Sequence, residues 1–312
     1  MPLLKLPNGV SLSYASHPNP TPDPSRPTVL FLAALVQRAE IQFEAQIRDE
    51  RLKGFNFVGI DVHGHGDTIE RDTWDYVDNA GDIVAGMKAL GVDKFFVYGT
   101  SNGGITAQEI AIRYPEYVRG LILCAATPRP AGPELSLRFR QYLIPGWMAT
   151  VPPPDAALQA SCLTTFGAPA KPADQPGSAF GDRKPVSDDS GERTTESAVG
   201  LELFCRIVDN WRTHTGEQKV VKPVETMLAW EGSESRLGGV KLPVLILHGA
   251  DDPTFGFDHA EQIHSLLPKN ERTRLVKFDG KGAHLIDVLA DVSVEVNKAT
   301  REWLDECIGA GF

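Results

Sequence analysis

The sequence predicts a doubly wound α/β sheet interrupted by one long insertion. Short apolar runs alternate with stretches of helical periodicity along most of the chain, and that alternation fails once, between about residues 128 and 241. The strand-length runs also lack polar alternation, which is the pattern of strands covered on both faces of a parallel sheet. At 312 residues the chain is long enough for one large α/β domain carrying a subdomain.

Taken in order, the first element is a hairpin. Leu4 and Leu6 lead in, Pro7-Asn8-Gly9 turns the chain, and Val10, Leu12 and Tyr14 alternate on the way out. A proline-rich connector from His17 leads to an apolar run from Val29 to Leu32. Further runs follow at Phe55 to Ile60, Phe95 to Tyr98, Val118 to Cys124, Val244 to Leu247 and Arg274 to Phe278. Between them, Tyr76 to Leu90 places Val77, Ala80, Ile83, Val84, Met87 and Leu90 at helical spacing. Ile105 to Tyr114 is a second helix. The last, from about Val292 to Ile308, puts Val292, Val296, Ala299, Trp303 and Cys307 on one face. Strand and helix in alternation imply the layered sheet.

Residues 128–241 depart from this. Eight of the chain's 23 prolines fall between Pro145 and Pro185, which disfavours long helices there. Gly181 to Ser197 is polar enough to predict an exposed loop. Leu135 to Leu143 and Leu201 to Trp211 read as helices. The economical reading is an inserted, mainly helical cap at 128–241, over a core formed by 1–127 and 242–312; the alternative is a long irregular excursion.

Composition limits the partners. Hydrophobic residues make up 42% and charged residues 23%, as in an ordinary globular protein. A formal charge of −10 argues against nucleic acid and anionic membranes, which select basic surfaces. No run supplies the ~18 apolar residues of a membrane helix, and the start does not read as a secretion signal. Cys124, Cys162, Cys205 and Cys307 lie far apart without CxxC pairing, so neither a zinc site nor a disulfide framework is expected and a cytoplasmic location is. The partner expected is a small-molecule substrate, with no metal or organic cofactor; a homodimer stays open.

Chemistry concentrates at Phe95 to Gly104, FFVYGTSNGG. An apolar strand runs into Gly99-Thr100-Ser101-Asn102-Gly103, and a helix follows at once, the context a G-x-S-x-G nucleophile elbow requires. The glycines two before and two after Ser101 let strand and helix approach closely. The turn projects the hydroxyl from the sheet's edge near the helix's positive end. A serine hydroxyl is inert at neutral pH without a base. His284 is the best-placed candidate, on a Gly-rich loop after the strand Arg274 to Phe278 and before an apolar helix. The other histidines have weaker contexts: His17 in the connector, His214 in the insertion, His259 and His264 on a surface helix, His248 at the end of a buried strand. LPVLILHGADDPTF, Leu242 to Phe255, ends a buried strand in a loop with two carboxylates, Asp251 and Asp252.

The order serine, acid, histidine, with the elbow after a central strand, resembles the α/β-hydrolase superfamily over nearly the whole chain outside the insertion. Ile60 to Thr68, IDVHGHGDT, supports this, since it is similar to the family's D-x-R-G-H-G loop with His63 in place of Arg. The resemblance implies an α/β-hydrolase fold, a mostly parallel sheet flanked by helices. It also selects the acid: the residue three after Gly249 is Asp252, whose role would be to orient the imidazole and stabilise its charged form. Relatives that take the acid from the strand after the elbow helix would need it at Cys124-Ala125-Ala126-Thr127, which has no carboxylate. The oxyanion loop is the departure. Where the family reads His-Gly, this chain has Ala33-Ala34 before Leu35, and since the donor is a main-chain amide the function need not be lost. The resemblance assigns the hole to the N–H groups of Asn102 and Leu35.

A serine at this position disfavours epoxide hydrolases and haloalkane dehalogenases, which need a carboxylate there. Ester or lactone hydrolysis on a small to medium apolar substrate is the leading expectation, with Phe139, Tyr142, Trp147, Met148, Phe204 and Trp211 as aromatic and apolar candidates for the cap's inner wall. A C–C hydrolase or a proline-releasing aminopeptidase could use the same three residues, the latter with Glu196, Glu202 or Asp209 holding an ammonium group. A non-catalytic small-molecule receptor is the third reading.

Overall fold

A computed structural model describes residues 1–69, 71–145, 217–279, 284–288 and 290–312. Its centre is an eight-stranded sheet in the order β1-β2-β4-β3-β5-β6-β7-β8. The strands are β1 (Leu3–Lys5), β2 (Ser11–His17), β3 (Thr28–Leu32), β4 (Asn56–Ile60), β5 (Phe95–Thr100), β6 (Val118–Cys124), β7 (Val244–Gly249) and β8 (Arg274–Phe278). The hairpin strand β2 pairs antiparallel with both β1 and β4, and every other pairing is parallel. Each expected strand is present, within a residue or two of its expected bounds except β2, which runs on to His17.

Successive residues of the central strands point into two different cores. In β5, Phe95 and Val97 join a cluster with Leu30, Leu32, Leu121 and Leu123, while Phe96 and Tyr98 join Val29, Phe31 and Ile122 on the other face. Helices α3 (Tyr76–Ala89), α4 (Asn102–Arg113) and α7 (Phe257–Leu266) cover the first face through Ile83, Met87, Ala107, Ile110, Ala260 and Ile263. The short helices α1 (Ala39–Gln42) and α2 (Glu44–Ile47), with the final helix α8 (Ala290–Gly309), lie on the second face. Phe43, Val292, Val296 and Trp303 pack there. Because both faces are apolar, these strands read as continuous hydrophobic runs rather than as alternating ones. Asp75 starts α3 with a capping box: its carboxylate accepts from Val77 and Asp78 N–H, and the Asp78 side chain accepts from Asp75 N–H.

Two expectations need correction. The first is β2, which does not alternate: Ser11, Leu12 and Ser13 are all buried. The Ser13 hydroxyl donates to Asp61 Oδ2 at 2.9 Å and its amide to Thr68 Oγ1 at 2.9 Å, so the polar positions are satisfied inside rather than turned to water. The second is β8, which is not buried on both faces; as the last strand of the sheet it is only half covered, apart from Phe278.

The insertion leaves β6 at Cys124 and the chain returns at Val244 to pair directly beside it, Leu121 opposite Val244. Of the elements expected there, Leu135 to Leu143 is helical, as α5 (Pro133–Arg138) continued by a π-turn over Phe139–Leu143. A further helix, α6 (Glu217–Leu228), was not expected, because Pro223 sits inside it and breaks the pattern a helix reading relies on. The proline-rich stretch beyond Pro145, the loop Gly181 to Ser197 and the helix Leu201 to Trp211 lie outside the described residues. So do Trp147, Met148, Phe204, Trp211, Glu196, Glu202, Asp209 and His214. Phe139 is buried and Tyr142 exposed. Among the described residues no helix is long and apolar enough to cross a membrane.

Strand and helix pack closely at the β5–α4 turn. A Cβ on Gly103 would lie 2.0 Å from the Leu32 carbonyl oxygen, and one on Gly99 would lie 2.4 Å from the Gly103 carbonyl oxygen. Both obstacles are backbone, which cannot move aside cheaply. Gly103→Ala should therefore lower the unfolding free energy by about 3 kcal/mol in urea titration. Gly239→Ala, where a methyl group meets nothing within 4 Å, should change it by less than ~0.5 kcal/mol.

Candidate active site

The turn joining β5 to α4 holds Ser101 at φ 52, ψ −114, a conformation a non-glycine residue adopts only under constraint, at a cost of about 1–3 kcal/mol. The constraint comes from both sides. Ser101 N–H donates to the Cys124 carbonyl of β6 at 3.0 Å, and the Ser101 carbonyl accepts from Ile105 N–H at 3.2 Å. Ser101 precedes the first residue of α4 without capping it through its side chain, so its hydroxyl is left for another partner.

That partner is His284. The Ser101 hydroxyl lies 2.7 Å from His284 Nε2, and His284 Nδ1 lies 2.8 Å from Asp252 Oδ2. All three side chains are buried. Asp252 follows β7, whose parallel pairing with β6 sets its height at the carboxyl edge, and the Phe255 ring meets the imidazole edge-on at 5.0 Å. Burial alone would raise the Asp252 carboxyl. The charge of His284 and hydrogen bonds from His248 and His284 outweigh it and hold the carboxyl well below the usual carboxylate range. Asp252 Oδ1 also accepts the amides of Thr254 at 2.7 Å and Phe255 at 3.0 Å. An ionised carboxylate only accepts, so the proton between it and the ring sits on Nδ1, and Nε2 is left as the acceptor for the serine.

Asp251 is exposed, so of the two neighbouring carboxylates only Asp252 reaches the imidazole. His248 is buried in β7, as expected, and has a further role that sequence could not show. Its Nε2 donates to the Phe255 carbonyl at 2.8 Å and lies 3.3 Å from Asp252 Oδ2, so two rings flank one carboxylate. His259, on α7, is half-buried and 2.7 Å from the Thr127 hydroxyl; His264 is exposed.

The loop after β3 shows what replaces the His-Gly pair. Ala34 N–H donates to Gln42 Oε1 and Val36 N–H to His65 Nε2, both at 2.8 Å. Between them, the Leu35 amide has no hydrogen-bond partner among the described residues. Val36 stands at φ 63, unusual for a β-branched residue. His65 Nδ1 is 2.9 Å from the His63 carbonyl, which can only accept, so Nδ1 carries the hydrogen and Nε2 accepts from the Val36 amide. Across the site, the Asn102 side chain is buried and accepts from the Tyr76 hydroxyl. His63, standing where the family has arginine, pairs with Asp82 at 2.9 Å and stacks on Trp74.

A cavity of about 380 Å³ adjoins this centre. Ile105, one turn beyond Ser101, and Phe255, against His284, form its near wall; Leu135, Met227 and Trp230 close it with Arg138. Among the described residues no group of three His, Cys, Asp or Glu is placed to hold a metal ion.

A model of the alpha/beta hydrolase fold family matches residues 27–287. The chain belongs to that family. Within it, the chain is 26% identical over 289 residues to the human serine hydrolase BPHL, covering 88% of this chain and 78% of that one. It is 27% identical over 246 residues to the AB hydrolase superfamily protein YisY of Bacillus subtilis (strain 168), covering 77% and 79%. Its fold is also similar to that of the enol-lactonase from Burkholderia xenovorans LB400, with a TM-score of 0.73 at 16% identity, over 97% of this chain and 100% of that one. The match of the family model ends at Asp287, so it takes in all three side chains of the hydrogen-bonded row.

The depressed carboxyl of Asp252 links the site to stability. A group whose folded pKa lies below its unfolded value near 3.9 stabilises the fold above that pH, and the contribution fades as pH falls below it. Asp252→Asn should therefore melt below the wild type at pH 7. The gap should narrow steadily as the pH is lowered through about 4, followed by thermal denaturation across that range.

Proposed function

We propose that this chain is a serine hydrolase that cleaves an ester or lactone of a small to medium, largely apolar substrate through an acyl-enzyme. The observation that carries the proposal is the unbroken hydrogen-bonded row Ser101–His284–Asp252 at the head of a strained turn. Ser101 Oγ attacks the acyl carbon while His284 Nε2 takes its proton. Asp252 holds the ring through Nδ1 and stabilises the imidazolium. The negative oxygen of the tetrahedral intermediate is received by the amides of Asn102 and Leu35, where one donor is worth about 10²–10³ in rate. His284 then gives the proton to the leaving alkoxide, and a water it deprotonates releases the acid.

The cavity supports the choice of substrate. Its volume suits a small molecule, and Ile105, Leu135, Met227, Trp230 and Phe255 give its wall an apolar part. Of the charged residues lining it, Arg129 pairs with Asp258 and Arg138 with Glu134, so the one carboxylate among the described lining residues is already paired rather than left for the ammonium group an aminopeptidase must hold. Of the expected cap at 128–241, α5 and α6 contribute to the wall of this cavity.

Hydrolysis of p-nitrophenyl acetate and butyrate by the wild type, with Ser101→Ala slower by about 10³-fold or more, is the expected result. Equal rates from the two proteins would sink the proposal, as would turnover of Pro-β-naphthylamide and no simple ester.

A further inference from the structure

Directly behind the row lies a second polar cluster that the acyl-transfer steps do not use. Its centre is Asp287, fully buried, three residues beyond His284. Asp287 Oδ2 accepts from the Thr100 hydroxyl at 2.6 Å and from Gln42 Nε2 at 3.1 Å. Gln42 in turn accepts the Ala34 amide on its Oε1, and Gln46 Nε2 donates to the Asp287 carbonyl at 2.8 Å and to Asn297 Oδ1 at 3.0 Å. Three segments are tied through this oxygen, two of them directly and the Ala34 loop by way of Gln42. Thr100 is the residue before the nucleophile, Asp287 belongs to the His284 segment, and Ala34 precedes the Leu35 amide.

Asp287 Oδ1 has no partner among the described residues. Burial pushes the carboxyl up, which fits a group selected for where it accepts rather than for its charge. A carboxyl left half-satisfied in a protein interior is costly. An aliphatic residue would fill the space at lower cost if filling it were all the position required.

We propose that Asp287 is a positioning residue: its Oδ2, held between the Thr100 hydroxyl and the Gln42 amide, fixes the Ser101 turn, the His284 segment and the Leu35 amide in one mutual register. The proposal rests on the serine-hydrolase reading above. It requires a single acceptor oxygen, so an asparagine that turns its carbonyl to both donors and its amide to the Oδ1 position should replace it. Alanine should not.

The test is the rate of labelling by a fluorophosphonate probe, which reads the serine, its base and the oxyanion amides without needing the natural substrate. Each variant is assayed below its own melting temperature and across pH. Asp287→Ala should label at least about tenfold more slowly than wild type, as expected when reacting groups shift by a fraction of an ångström. Asp287→Asn should stay within about threefold of wild type, with the same pH dependence. Thr100→Val, which removes one donor and suits a strand, should slow labelling by about threefold or more. It carries the test if Asp287→Ala does not fold. The proposal is overturned if folded Asp287→Ala, or Thr100→Val, labels at the wild-type rate while melting lower, since that is a structural role alone. It is overturned as well if Asp287→Asn is as slow as Asp287→Ala, which would make the charge the active feature. A wild type that labels no faster than Ser101→Ala would instead remove the serine-hydrolase reading, and this proposal with it.

Discussion

The constraint on which the structure depends is the bend at Ser101. A serine at φ 52, ψ −114 holds only because its neighbours leave no other path. β5 is paired on both sides, with Leu32 opposite Gly99 and Cys124 opposite Thr100. α4 is pressed so close that Gly103 abuts the Leu32 carbonyl. The strain of about 1–3 kcal/mol is small against the burial of the two cores, and the bend aims one hydroxyl at one imidazole. Strands β6 and β7 extend the same logic sideways: their parallel register places Asp252 where it can hold that imidazole from behind.

Electrostatics separates the two buried carboxylates beside His284. Asp252 has its charge opposed by two rings and two amides and stays ionised well below the ordinary range. Asp287 has two neutral donors on one oxygen, which do not offset the loss of water, and its carboxyl is raised. Two carboxyl groups so close to one imidazole could compete for it. Geometry settles the competition: Nδ1 is hydrogen-bonded to Asp252, while Asp287 meets Thr100 and Gln42.

The sheet was legible because its strands are hydrophobic on both faces, a pattern that survives without knowledge of pairing. Phe95 to Thr100 and Val118 to Cys124 show it plainly. Helices with an uninterrupted apolar stripe, such as Tyr76–Ala89, were equally readable, whereas Glu217–Leu228 was hidden by Pro223; β8 was readable as a strand, but not its half-covered place at the sheet's edge. The Ser101 and His284 positions could be read because their signals are local: a glycine-flanked serine after a strand, a histidine on a Gly-rich loop; the strand-end loop offered Asp251 and Asp252 alike, and the family resemblance chose between them. His65, Gln42, His248 and Asp287 could not. Gln42 and Asp287 act on each other across 245 positions and His65 on Val36 across 29, while His248, though close in sequence to Asp252 and Phe255, reads only as the end of a buried strand; no local pattern distinguishes a buried glutamine that supports an amide from one on a surface. His65 came closest to visibility, since it lies in the IDVHGHGDT loop that carried the family resemblance.

The proposed function requires one intermediate, an acyl group on Ser101 Oγ. Acid quenching during turnover of p-nitrophenyl butyrate, followed by peptide mass mapping, tests for it directly. A butyryl group on the peptide carrying Ser101, absent in Ser101→Ala, is the result expected. Turnover with no acyl adduct at Ser101, or with the adduct on another residue, would contradict it.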